Sequence, residues 1–258
     1  MKKHWILLVL TLCAGLTGYA EDKAEKQHVN VVFVGNSITQ GALLTDPAHE
    51  APPVQAVKYL TLQQEVAGVK FSNQGVSGST TVDFLPATQT LFLKVKQAAD
   101  VFKTDKEATL VFSLMLGTND SAIKGPNGSP VQPAQYKTNV KVIVDELLAL
   151  YPDSRIVLHR PIWYSPNTYN GAMYLKEGLN RLEKYFAEIN QLVEAYAITH
   201  PDRVYCGDID GFGYFRTNYA TDLFAEEGNA GTFYLHPNAK GAVKLGELWG
   251  KALLKVVR

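Results

Sequence analysis

The stretch Leu110-Val111-Phe112-Ser113-Leu114-Met115-Leu116 is interrupted by a single small hydroxyl. A strand with one wet face alternates apolar and polar residues. A nearly unbroken apolar run of this length suits a strand covered on both faces, as in a parallel sheet between two layers of helices. The remainder of the chain repeats that theme. Val29–Val34, Val69–Asn73 and Arg155–Leu158 read as further strands, with a fifth near Arg203–Cys206. Helical stripes separate them: Tyr136, Val140, Ile143, Val144 and Leu147 in one, Leu175, Leu179, Leu182, Phe186 and Ile189 in a second, and Leu245, Leu248, Trp249, Ala252 and Val256 in the last. Pro53 opens another helix, expected to run through about Ala67. Strands alternating with helices in this way predict a three-layer α/β/α sandwich around a central, mostly parallel five-stranded sheet. In such a sheet the ligand crevice lies outside the carboxyl ends of the strands, so catalytic residues are expected just after them.

The ends and the composition narrow the function. Lys2 and Lys3, the apolar run Trp5–Leu12 and the small residues of Gly18-Tyr19-Ala20 together predict a secretory signal peptide over residues 1–20. Bulky Leu12 before Cys13 argues against lipid attachment at that cysteine. Residues 21–28 read as a polar N-terminal arm and 29–258 as the folded domain, exported to the periplasm or beyond the cell. Without residues 1–20 the chain holds 23 basic and 25 acidic side chains, a net charge near −2. That balance disfavours nucleic acid and anionic membrane as partners, since both demand a basic excess. Only Cys206 would survive cleavage, which leaves no intrachain disulfide. No stable membrane insertion is expected, and the oligomeric state stays open.

Four segments follow strands or lead into helices. Val31-Val32-Phe33-Val34 runs into Gly35-Asn36-Ser37-Ile38-Thr39, placing a hydroxyl where a helix start would offer N–H groups to a developing anion. Asn73-Gln74-Gly75-Val76-Ser77-Gly78-Ser79-Thr80 follows the second strand, with glycines that permit close backbone approach. Gly117-Thr118-Asn119-Asp120 follows the most apolar strand. His236-Pro237-Asn238 closes a long connection ahead of the final helix. Taken singly, each is ordinary turn chemistry. Together they supply a nucleophile, a base and hydrogen-bond donors for an oxyanion, the parts of an acyl-transfer site.

In these four blocks, spread over about residues 29–250, the chain resembles the SGNH hydrolase (GDSL-type esterase/lipase) family. Asn36 stands where that family more often has Asp. The resemblance implies the flavodoxin-like SGNH hydrolase fold and a serine ester hydrolase without a cofactor or metal. It implies Ser37 as nucleophile, His236 as general base, and Ser37 N–H, Gly78 N–H and the Asn119 amide as the oxyanion hole. A second position departs further from the pattern. The family usually carries an Asp three residues before the histidine, and here that residue is Phe233, which cannot accept an imidazole N–H. Asp222, Glu226 or Glu227 folding back, a backbone carbonyl, or a Ser–His dyad are the possible repairs.

Three rival motifs fail on inspection. Gly75-Val76-Ser77-Gly78-Ser79 lacks the last glycine of a nucleophile elbow. Asp208-Ile209-Asp210 lacks two ligands of a calcium loop. The histidines show no paired metal spacing. Three connections, Ser121–Pro133, Pro161–Met173 and Gly207–Thr232, are expected to roof the crevice, the last two bearing Trp163, Tyr164, Tyr169, Phe212, Tyr214, Phe215 and Tyr219. Aromatic faces beside a polar floor suit sugar rings. The expected substrate is therefore a glycan O-acetyl ester. The alternatives are a broad short-chain aryl-ester or lysophospholipid hydrolase, or an inactive glycan-binding relative.

Overall fold

The computed structural model describes Met1 and residues 26–257. The expected signal segment, apart from Met1, and residues 21–25 of the arm lie outside the described residues. In chain order the elements are β1 (Gln27–Gly35), α1 (Ser37–Gln40), α2 (Pro47–Glu50), α3 (Pro52–Thr61), β2 (Val66–Gly75), α4 (Leu91–Phe102), β3 (Ala108–Met115), α5 (Pro133–Leu150), β4 (Arg155–Leu158), α6 (Leu175–Thr199), β5 (Val204–Cys206), α7 (Gly211–Asp222), β6 (Leu223–Gly228), β7 (Gly231–Pro237) and α8 (Ala239–Val257). The main sheet has the order β2-β1-β3-β4-β5 and every pairing in it is parallel. The expected strand Leu110–Leu116 is its middle member, β3.

Both faces of the sheet are covered, and neighbouring residues of one strand prove it. Phe33 pairs with Ser113 and Val32 with Phe112, so Phe33 and Phe112 point to opposite faces. Phe33 stacks on Trp249 of α8 at 6.1 Å, whereas Phe112 meets Tyr151, at the end of α5, at 5.5 Å. Helix α3 packs on α8, and α5 on α6.

The register aligns the motifs. Gly35 pairs with Gly75 on one side and with Met115 on the other. The turns after β1, β2 and β3 therefore emerge side by side at the carboxyl edge. Glycine is required at two of these ends, because a Cβ on Gly35 would overlap the Thr39 side chain and one on Gly75 the backbone of Gln40. Only bare backbone lets the short helix α1 lie across the strand ends.

The structure corrects three expectations and adds a helix. The helix from Pro53 stops at Thr61 rather than near Ala67, since its buried stripe ends at Leu60 and Leu62 is 82% exposed; β2 then begins at Val66. Strand β1 starts at Gln27, so Gln27 and His28 leave the arm. Helix α4, buried through Phe92, Val95 and Ala99, went unread. Most consequential, Gly207–Thr232 is not one long connection. It folds into α7 and β6, and β6 pairs antiparallel with β7 as a separate hairpin. Helix α7 buries few side chains and turns non-helical at Asn218, so it carries no readable stripe. His236 accordingly ends a strand, not a loop.

Candidate active site

Ser37 is the first residue of α1. Asn36 caps that helix, its side-chain oxygen accepting the Ile38 N–H at 3.1 Å, and Gly41 closes it with φ 85°. The Ser37 hydroxyl lies 2.9 Å from Nε2 of His236, 199 positions later. On the other side of the ring, Nδ1 meets both carboxylate oxygens of Glu226, at 2.9 and 3.1 Å. The His236 backbone N–H also reaches Glu226 Oε1, at 3.2 Å. A carboxylate can only accept, so Nδ1 carries the proton and Nε2 turns its lone pair to Ser37.

The hairpin explains how Glu226 arrives there. Glu226 stands directly across from Phe233, the position where an aspartate would be expected. The register then slips: Ala225 faces Tyr234 but Leu223 faces Pro237, so β7 uses one residue more than β6. An extra residue shifts the alternation of side chains, and bulges commonly re-aim a side chain beside a site. His236 is thereby brought to the side of Glu226. Of the three acids that could have folded back, Glu226 alone reaches the imidazole. Asp222 is buried against Lys240, Tyr214 and Thr221, each at 2.6 Å. Burial works against its charge, but those bonds hold its carboxyl below the usual range. Glu227 accepts the Thr232 hydroxyl at 2.8 Å.

The β2 and β3 turns close the other side. Val76 N–H bonds Gly35 O at 3.0 Å, and Ser77 bonds Gln40 Oε1 through its N–H (3.0 Å) and its hydroxyl (2.6 Å). The loop bearing Gly78 is thus tied to the turn that bears Ser37. Gly78 itself is exposed with φ 78°, a backbone that favours glycine. Asn119 is buried and donates Nδ2–H to Ser79 O at 2.8 Å. Next to it, buried Asp120 accepts the Thr81 N–H at 2.9 Å and also the Thr81 hydroxyl. Burial pushes its carboxyl up to about 6. The Asn119-Asp120 pair therefore clamps residues 79–81 beside the serine. The sequence alone assigns Asp120 no such role.

Of the loop aromatics Trp163, Tyr164 and Phe215 are buried, and Phe212 and Tyr214 pack half-buried against the core. Tyr219 is 38% exposed, between Trp163 (5.4 Å) and Tyr234 (4.8 Å). Among the described residues no group of three or more His, Cys, Asp or Glu could hold a metal ion. No helix among them is long and apolar enough to cross a membrane.

A family model described as the GDSL-like Lipase/Acylhydrolase family matches residues 33–244. Solved structures share the fold. A carbohydrate acetylesterase from Sinorhizobium meliloti superposes with a TM-score of 0.56 at 16% identity, over 88% of this chain and 99% of that one. An acetylxylan esterase from Geobacillus stearothermophilus, solved as a catalytic mutant, gives 0.58 at 18% identity, over 90% and 95%. A lipase/acylhydrolase from Enterococcus faecalis gives 0.57 at 18% identity, over 89% and 97%. None of the curated proteins compared matches the chain.

Proposed function

The chain belongs to the GDSL-like lipase/acylhydrolase family and is an ester-hydrolysing enzyme, and on that basis we propose that it is an exported carbohydrate O-acetylesterase working through a Ser37 acyl-enzyme. The observation that carries the catalytic reading is the directed chain Glu226–His236–Ser37, with 2.9 Å at each link. In this mechanism Ser37 Oγ attacks the ester carbonyl carbon as His236 Nε2 takes its proton. The tetrahedral oxygen is held by the Ser37 and Gly78 N–H groups and the Asn119 amide. The C–O bond to the sugar then breaks, and the imidazolium gives its proton to the departing alcohol. Water, deprotonated by the same nitrogen, attacks the acyl carbon; the bond to Ser37 Oγ breaks, the imidazolium returns its proton to that oxygen, and acetate leaves. Glu226 accepts the Nδ1–H throughout and stabilises the imidazolium.

The glycan part of the proposal has its own support. It draws on the exposed Tyr219 face between two aromatic neighbours and on carbohydrate esters as the named substrates of two proteins of the same fold. Export draws on the predicted signal peptide. Release of p-nitrophenol from its acetate ester tests the chemistry: wild-type turnover no faster than Ser37→Ala would end it. Acetylated xylan, acetylated sialic acid and a lysophospholipid compared at equal concentration test the substrate. A large preference for the lysophospholipid would overturn the glycan reading while leaving the chemistry intact.

A further inference from the structure

Asn119 has one carboxamide but two demands on it. Its Nδ2–H already serves Ser79 O, an acceptor with nothing to donate. That fixes which end of the amide is nitrogen and leaves one N–H uncommitted. The opposite end, Oδ1, accepts the hydroxyl of Tyr174 at 2.7 Å. Tyr174 is itself fixed. It is buried, sits at the start of α6, and its ring packs edge-on against Tyr164 at 5.4 Å. Its backbone is held at both groups, by Thr168 O at 3.2 Å and by the Gly178 N–H at 2.8 Å. Burial, and then the nearby Glu226 charge, push the phenol well above its ordinary range, so it stays a proton donor at any working pH.

We propose that Tyr174 is a positioning residue for the oxyanion hole: its hydroxyl locks the Asn119 carboxamide so that the free N–H faces the reacting carbonyl. The lock acts in two ways. It adds to Ser79 O in disfavouring the flipped amide, in which an oxygen lone pair would meet the oxyanion. It also polarises the amide, since a carbonyl that accepts a hydrogen bond makes its own N–H a better donor. No proton moves to or from Tyr174 in the reaction. The proposal rests on Asn119 serving the oxyanion, and adds the group that makes its geometry single-valued.

The test is a double-mutant cycle on p-nitrophenyl acetate with Asn119→Ala, Tyr174→Phe and both together. Asn119→Ala is read first and is expected to lower kcat by about 10²–10³-fold. A wild-type kcat there would sink the oxyanion role itself. Tyr174→Phe is expected to lower kcat about tenfold with KM changed less than about twofold. On the Asn119→Ala background it should change kcat by less than about twofold, because the amide it positions is gone. Affinity for a trifluoromethyl ketone, which Ser37 would convert to a hemiketal oxyanion, should fall in Tyr174→Phe by the same factor as kcat. A Tyr174→Phe enzyme with wild-type kcat, or an undiminished loss on the Asn119→Ala background, overturns the proposal. If Tyr174→Phe does not fold, 3-fluorotyrosine at position 174 replaces it. That residue is nearly isosteric and a stronger donor, so kcat should rise, and a kcat that stays level or falls counts against the lock.

Discussion

Among the described residues two serine–histidine pairs, Ser37–His236 and Ser113–His159, both close at 2.9 Å. Distance does not separate them; the far nitrogen does. His236 Nδ1 faces the Glu226 carboxylate, which accepts, so the proton sits there and Nε2 is free to take one from Ser37. His159 Nδ1 faces the backbone N–H of Asp208 at 2.9 Å, which donates. Its proton must therefore sit on Nε2 and point at Ser113 Oγ. The same two side chains at the same spacing run in opposite directions. Burial also pulls the His159 imidazole down to about 3, so it stays neutral. A hydroxyl beside an imidazole is a nucleophile only when an acceptor stands behind the ring.

Removing each serine in turn puts this contrast under the greatest stress. Ser37→Ala is expected to lower kcat by about 10⁵–10⁶-fold, the scale seen when a nucleophile that acts as a unit with its base is lost. Ser113→Ala should leave kcat within about twofold and cost about 1–2 kcal/mol of stability, because it strands the buried Nε2–H. Steady-state rates with urea unfolding of both variants check the pair. A Ser113→Ala enzyme as damaged in rate as Ser37→Ala would mean the direction argument is wrong. Next in size comes Glu226→Gln. The amide can present its NH₂ to Nδ1, which would reverse the tautomer and make His236 resemble His159. The expected loss is about 10³–10⁴-fold in kcat with little change in KM. A loss under about tenfold would mean that the pair works as a dyad, without its carboxylate.

That same comparison marks where the sequence was readable. Both serines lie on or just after strands that their apolar runs disclose, and the turns at Ser37, Gly78 and Asn119 each follow a strand in plain view. Local pattern was enough because a parallel sheet places every strand end at one edge. The acceptor behind His236 was not local. Leu223-Phe224-Ala225-Glu226-Glu227-Gly228 is short and half polar, and nothing in it distinguishes a strand from a loop. Its pairing with β7, and the slipped register that turns His236 toward Glu226, exist only once the hairpin is closed. The carboxylate missing at Phe233 had moved across the hairpin to the residue facing it. Tyr174 left no trace at all, being one more tyrosine at a helix start, 55 positions from the amide it meets.

The smallest expected effect concerns two buried titratable groups, His159 of the second pair and Asp120 beside the first. The His159 pKa is about 3 in the fold, against 6.5 for an unperturbed imidazole. Between those values the unfolded chain holds a proton that the native one lacks. That contribution to stability is full above pH 6.5 and is lost as pH falls toward 3. Asp120 runs the other way, at about 6 in the fold against 3.8 for an unperturbed carboxyl. Between 3.8 and 6 the native state holds the extra proton, so stability falls as pH rises across that range. From about pH 4 to 6 the two slopes oppose each other and nearly cancel. Asp120→Asn keeps an oxygen to accept from Thr81 but removes the titration, leaving His159 unopposed. Its unfolding free energy should then fall toward acid more steeply than the wild type, by about 1 kcal/mol per pH unit. A constant offset from the lost carboxylate bonds is compatible with this, since only the slope reports protons. Urea unfolding at about pH 4, 5 and 6 measures it, and parallel lines for the two proteins would mean that Asp120 stays ionised beneath residues 79–81 across the whole range.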